Sequence, residues 1–253
     1  MIALSDKPRE NTEIHTGLLR LGLAVDDSRE YWRRASDGSN AQLTEVAFEQ
    51  RWFGPKSAAR VAYLVGTFGL RFKAFPPALA NLKAWDPVDL QERRWVCHWH
   101  LQLADPLYRR FTQDYLTGRL QHPEPTVTKR SALEWLEMTA PGNRSVVTSE
   151  RLVSGLVSSV SEAGFCSGTQ STRPLSVPHV SNAALAYLLY TLNGLEFQGS
   201  LFKNPYLESA QLVGEGLLFR VQKLPGFIYR KSANVSQVDW SAPTFIEWLK
   251  LCE

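Results

Sequence analysis

Apolar residues recur at three- and four-residue spacing through most of the chain, the signature of helices that bury one face. The pattern predicts helices over about Thr16 to Ser36, Ala41 to Phe53 and Lys56 to Phe75, the last opened by Gly54-Pro55 with proline in the first turn. A fourth helical stretch, Pro87 to Leu120, carries Leu107, Phe111, Tyr115 and Leu116 on one side and Arg109, Arg110, Gln113 and Asp114 between them. Asp105-Pro106 marks a break inside it, because proline starts a helix readily but does not continue one. Residues 122–130 contain two prolines and little apolar content, which reads as a linker between an N-terminal helical domain (1–121) and a C-terminal region (131–253).

Downstream the rhythm changes, with Gly and Ser punctuating shorter elements. A short helix over Ala132 to Met138 ends at Ala140-Pro141-Gly142, and a longer one follows from Thr148 to Ala163. At 100° per residue its apolar positions, Leu152, Val153, Leu156, Val157, Val160 and Ala163, fill an arc of about 140°. The opposite arc is polar and small: Thr148, Arg151, Ser154, Gly155, Ser158, Ser161 and Glu162, with Thr148 or Ser149 suited to cap the helix start. A polar tip at Ser167 to Thr172 and the strand-prone Leu175 to Val177 come next. A similar order returns where a helix around Leu207 to Lys223 leads into a hairpin between Gly226 and Trp240 that turns at Ser232 to Asn234. The expected fold class is mainly α with small β-hairpins (α+β): an N-terminal helical domain followed by winged-helix-like modules.

Composition narrows the function classes. With 253 residues, 44% of them hydrophobic, the chain can bury a large core. Its 28 basic and 25 acidic residues give a net charge of only +3, so any basic surface must be local. Three widely separated cysteines and a charged N-terminal stretch without a secretory pattern point to a reducing, cytoplasmic setting. The longest uncharged stretch, Pro174 to Leu195, has a dense apolar part only from Ala183 to Leu192, well short of the ~20 residues of a membrane span.

A helix that enters the DNA major groove needs an apolar face docked on its domain, small residues for close approach and donors near its N-terminus. Thr148 to Ala163 offers these, and helix, turn, helix, hairpin is the winged-helix order. The candidate contacts are Arg144, Ser145, Thr148, Ser149, Arg151, Ser154 and, on the following hairpin, Arg173. Arg230 and Lys231 would form a second wing, although basic pairs on hairpins also serve to solubilise or protect an edge. A helix-turn-helix over Ala41 to Phe68 would present Lys56, Ser57 and Arg60, although helix pairs joined at glycine are also common packing units. Partner-protein binding is the competing use of all these faces. Cys97-His98-Trp99-His100 supplies metal-ligand residue types, yet on a helix the two histidines point about 200° apart. No phosphate-binding glycine loop, nucleophile elbow, HExxH helix or paired CxxC occurs, so no catalytic residue, metal or cofactor is expected.

In order along the chain, FEQRWFGPKSAARVAYLVGTF, ADPLYRRFTQDYLTGRL, TSERLVSGLVSSVSEAGF, VPHVSNAALAYLLYTLN and LPGFIYRKSANVSQVDW resemble the small A component of BREX phage-defence systems, the BrxA family. The resemblance spans most of the chain through patterns of residue class. It implies a non-enzymatic accessory protein that binds double-stranded DNA beside the methyltransferase, ATPase and phosphatase-like members of such a system. The implied contact region is Arg144 to Arg151 and the wing through Arg173, with Lys56 to Arg60 a second.

Overall fold

One helix organises the molecule. In α5 (Leu90–Ala104) every residue from Trp95 to Leu103 is buried, the behaviour of a helix that is covered on all sides. Trp95 and Trp99 stack at 5.2 Å along one side of it. The polar residues in this run find partners inside: His98 bridges Tyr108 and Ser209, and Gln102 donates to Thr112 and Ser209. The structure, a computed structural model, describes residues 7–142, 144–168, 170–232 and 235–252.

Around α5 the N-terminal half forms α1 (Val25–Arg34), α2 (Asn40–Glu49), α3 (Ala58–Phe68) and α4 (Ala78–Trp85). The expected Thr16 to Ser36 helix is two pieces, a 3-10 turn at Gly17–Leu19 and α1, parted by Ala24 with φ of +54°. The reason is tertiary: the Glu162 carboxylate accepts the backbone N–H groups of Ala24 and Val25 at 3.0 and 2.8 Å and so starts α1 there. The break anticipated at Asp105-Pro106 is present. Asp105 caps α6 (Pro106–Arg110) through the Tyr108 N–H, and proline takes the first helical position. A π-helical segment (Phe111–Leu116) and α7 (Thr117–Leu120) continue from it, and a second π-helical turn (Gly69–Lys73) extends α3.

The C-terminal half holds α8 (Lys129–Thr139), α9 (Val146–Glu162), α10 (Asn182–Asn193), α11 (Pro205–Ser209), α12 (Gly214–Gln222) and α13 (Phe245–Lys250). Among the described residues there are two small antiparallel sheets: β1 (Thr126–Thr128) pairs with β2 (Thr172–Pro174), and β3 (Phe227–Ser232) with β4 (Val235–Trp240). The protein is thus mainly helical with two small two-stranded sheets. The 122–130 stretch is corrected in part. It holds β1 and the start of α8, and Val127 is fully buried because β1 lies between β2 and the helices. No helix among the described residues is long and apolar enough to cross a membrane.

Candidate nucleic-acid interface

The α8–α9 unit is built as its residue pattern requires. Leu152, Val153, Leu156, Val157 and Val160 are all buried under α9, each contributing roughly 1.5 to 3 kcal/mol relative to exposure. Ser145, rather than Thr148 or Ser149, caps the helix, its hydroxyl accepting the Thr148 N–H at 3.2 Å. The helix therefore begins at Val146, two residues earlier than the apolar pattern alone indicates. The chain then turns at Gly164, and Cys166 bridges Leu175 antiparallel while β2 pairs with β1 on its other side. β2 thus lies between β1 and the chain leaving α9, and residues 167–171 connect Cys166 to β2.

The arc opposite the apolar face is not uniformly free. A side chain on Gly155 would meet the Leu18 carbonyl at 2.8 Å, so the glycine is there for close approach of the Gly17–Leu19 turn. A side chain on Gly22 would likewise meet the hydroxyl of Ser159, next to this arc, at 2.8 Å, and Glu162 is spent on α1. Ser161 accepts from the Arg173 guanidinium at 2.6 Å. What remains open is a narrower strip: Arg151 and Ser158 are exposed, and Ser154 is half-buried between them. Arg151 forms no ion pair or hydrogen bond among the described residues.

The other sequence-selected residues are spread over several tasks. Arg144 folds back onto the Ala140 carbonyl of its own turn. Thr148 shares a hydrogen bond with Ser145, and Ser149 is half-buried in the first turn. Lys56 is held by Asp27 and the Phe53 carbonyl, and Ser57 caps α3 by accepting the Arg60 N–H. On the far hairpin Arg230 pairs with Asp239 across the strands at 3.1 Å; the side chain of Lys231 lies outside the described residues. These engagements are intramolecular, and they leave fewer free donors than the sequence pattern suggests.

The fold also adds a residue that the pattern omitted. Arg20 follows the turn that packs on Gly155, and the Arg60 guanidinium donates to its carbonyl at 3.4 Å. Both guanidiniums lie over the Tyr63 ring, at 5.9 and 5.4 Å from its centre. Since Gly155 is one turn along α9 from Arg151, the N-terminal turn joins the α9 strip to the Arg20–Arg60 pair. The sequence does not signal this, because the Thr16 to Ser36 pattern reads as one helix, whereas in the structure Arg20 follows the Gly17–Leu19 turn and precedes α1.

A second unit has the same order. α11 leads through 210–213 to α12, and the β3–β4 hairpin follows, its Phe227 and Trp240 packed on Tyr190 of α10. On α12, Phe219 is exposed with the Lys223 ammonium 4.0 Å above its ring, while Arg220 turns inward to the Val180 carbonyl and Asn182.

The Cys97 to His100 run does not assemble a metal centre. His98 contacts Tyr108 and Ser209, whereas His100 contacts the Arg71 carbonyl and Tyr187, on opposite sides of α5. Burial pushes the two imidazoles down, to about 3 and about 4, and pushes the Cys97 thiol up to about 12. All three are therefore uncharged at neutral pH.

No known family model matches the chain, and no curated protein matches its sequence. Among solved structures, the crystal structure of an uncharacterized protein from Magnetospirillum magneticum is similar, with a TM-score of 0.57 and 14% identity, over 69% of this chain and 91% of that one. The likeness is one of fold. It extends over more than half of this chain and nearly all of the other, and at this identity it speaks to architecture alone.

Proposed function

We propose that the protein is a non-enzymatic, double-stranded-DNA-binding accessory protein of a bacterial phage-defence system of the BREX type, and that β1–α8–α9–β2 acts as a winged-helix module. The observation that carries the reading is the exposed α9 strip: Arg151, Ser154 and Ser158 on a helix whose opposite face is buried, followed by a hairpin whose β2 lies between β1 and Cys166. A helix followed by a hairpin on a small sheet is the order that winged-helix proteins use to meet a major groove and the adjacent phosphates. Arg20 and Arg60 extend the basic surface from the N-terminal half. The BrxA resemblance supplies the cellular setting, in the cytoplasm beside other proteins of the same system.

Three free or solvent-facing guanidiniums imply modest, salt-sensitive affinity. Log K against log salt is expected to fall with a slope of about −3. The test is fluorescence anisotropy with a duplex of about 30 base pairs at low and physiological salt. Arg151→Ala should weaken binding several-fold and flatten the slope by about one. Unchanged affinity in that folded variant excludes α9 as the contacting helix, and a flat salt dependence excludes a phosphate-dominated interface.

One observation favours a second reading, an adaptor that docks a larger enzyme without touching DNA. Met138, Val146 and Val147, at the turn between α8 and α9, are 77%, 71% and 55% exposed. Such a cluster on a polar surface suits a protein partner. Co-purification with neighbouring gene products after nuclease treatment, combined with no duplex binding at low salt, would select this reading.

A further inference from the structure

In the second unit α12 precedes its hairpin as α9 precedes its own, yet the two helices present different surfaces. At about 100° per residue, Glu215, Gly216, Phe219, Gln222 and Lys223 fall on one arc of about 120° along α12 and its C-cap. All five are exposed, while Leu217 and Val221 on the opposite side are buried. Phe219 stands at the centre of this arc and is 58% exposed, with the Lys223 ammonium 4.0 Å from the centre of its ring. A large apolar ring with a carboxylate beside it does not suit a phosphate surface, whereas the α9 strip carries Arg151 and small hydroxyls. Arg230, on the hairpin that follows α12, is already paired with Asp239. The exposed side of α12 therefore has the chemistry of a protein-docking face.

The order of charges along this face says what it fits. Glu215, Phe219 and Lys223 form a single row at four-residue spacing: a carboxylate, an apolar ring and an ammonium. Glu215 and Lys223 are about 12 Å apart along the helix, too far to pair with each other. Neither forms an ion pair within the chain among the described residues.

Such a row is complementary to itself when reversed. Two copies related by a two-fold axis at Phe219 run their α12 helices antiparallel, which brings the two rings together and sets each Glu215 level with the partner's Lys223. Rows at four-residue spacing are the ridges through which helices most often pack on one another. Beside this ridge Gly216 has open space where a side chain would stand, and so leaves a gap for the ring of the other copy.

We propose that the exposed face of α12 is a self-association surface, on which a second copy of this chain docks antiparallel with Phe219 against Phe219 and Glu215 against the partner's Lys223. The face is on a different helix from the α9 strip, so the proposal stands whether or not the chain binds DNA. A helix of nine residues supplies less than the roughly 1,200 Å² of a standard interface, and the dimer is accordingly weak, with Kd of about 20 to 500 µM.

The experiment is sedimentation velocity of the full chain, treated with nuclease and free of DNA, from about 5 to about 500 µM at physiological salt. The sedimentation coefficient is expected to rise with concentration from the monomer value toward that of a dimer. Phe219→Ala, at a solvent-facing position, should raise Kd at least about tenfold with an unchanged circular dichroism spectrum. Glu215→Lys and Lys223→Glu should each raise it several-fold, and the double variant should return to within about threefold of the wild type. Because the two side chains cannot meet within one helix, that recovery reports a contact between copies. A chain that stays monomeric throughout, association untouched by Phe219→Ala in the folded protein, or a double variant that associates no better than the single ones would each overturn the proposal.

Discussion

Acid should destabilise this protein through two particular side chains. His98 and His100 are enclosed by α5 and its neighbours and are held neutral, at about 3 and about 4, against about 6.5 in an unfolded chain. Between those values the unfolded state binds protons that the folded state refuses, so stability falls as pH falls. From pH 7 to pH 5 each unfolded imidazole gains about 2 kcal/mol of protonation free energy, and the folded one almost none. The pair therefore removes about 4 kcal/mol, a large part of the roughly 5 to 15 kcal/mol that stabilises a typical protein. The result is insensitive to the folded values themselves, provided that both lie below 5. Urea unfolding of the wild type, His98→Gln and His100→Gln at pH 7 and pH 5 measures it. Each variant will be less stable at pH 7, through lost contacts with Tyr108 and Ser209 or with Tyr187 and Phe72. Each should nevertheless lose about 2 kcal/mol less than the wild type on acidification, and comparing variant with wild type cancels the carboxylates common to both. A variant that keeps the full wild-type loss would refute the assignment of a buried neutral imidazole at that position.

Three further expectations concern the α9 unit. Ser145→Ala should cost about 1 kcal/mol in urea unfolding and Ser149→Ala less than about 0.5, because only Ser145 accepts a first-turn N–H; equal costs would mean the cap is misassigned. Gly155→Ala gains helix propensity but forces a methyl to 2.8 Å from the Leu18 carbonyl, so a net loss of about 1 to 3 kcal/mol is expected, and a stabilised variant would show that the turn does not pack there. Glu162→Ala strips the acceptor from two backbone N–H groups, with a cost of about 1 to 2 kcal/mol. Hydrogen exchange at Ala24 and Val25 should accelerate more than at the far end of α1.

Periodicity alone determined the helical character, the α5–α6 break and the buried face of α9, because 3.6-residue spacing and the proline ring act locally. The candidate interface was legible only in part. Arg151 stands open as its position on the helix predicts, but the sequence treats Gly155 and Glu162 as members of the same solvent-facing arc. Tertiary structure removed them, since the N-terminal turn needs a surface without a side chain and α1 needs an acceptor for its first N–H groups. β1 was equally hidden: three residues between prolines and a helix become a strand only when β2, 46 residues later, supplies the partner at Thr126↔Pro174 and the next two pairs. Pairings between residues far apart carry no periodic mark, which is why Arg20 beside Arg60 was decided by the fold and not by the sequence pattern.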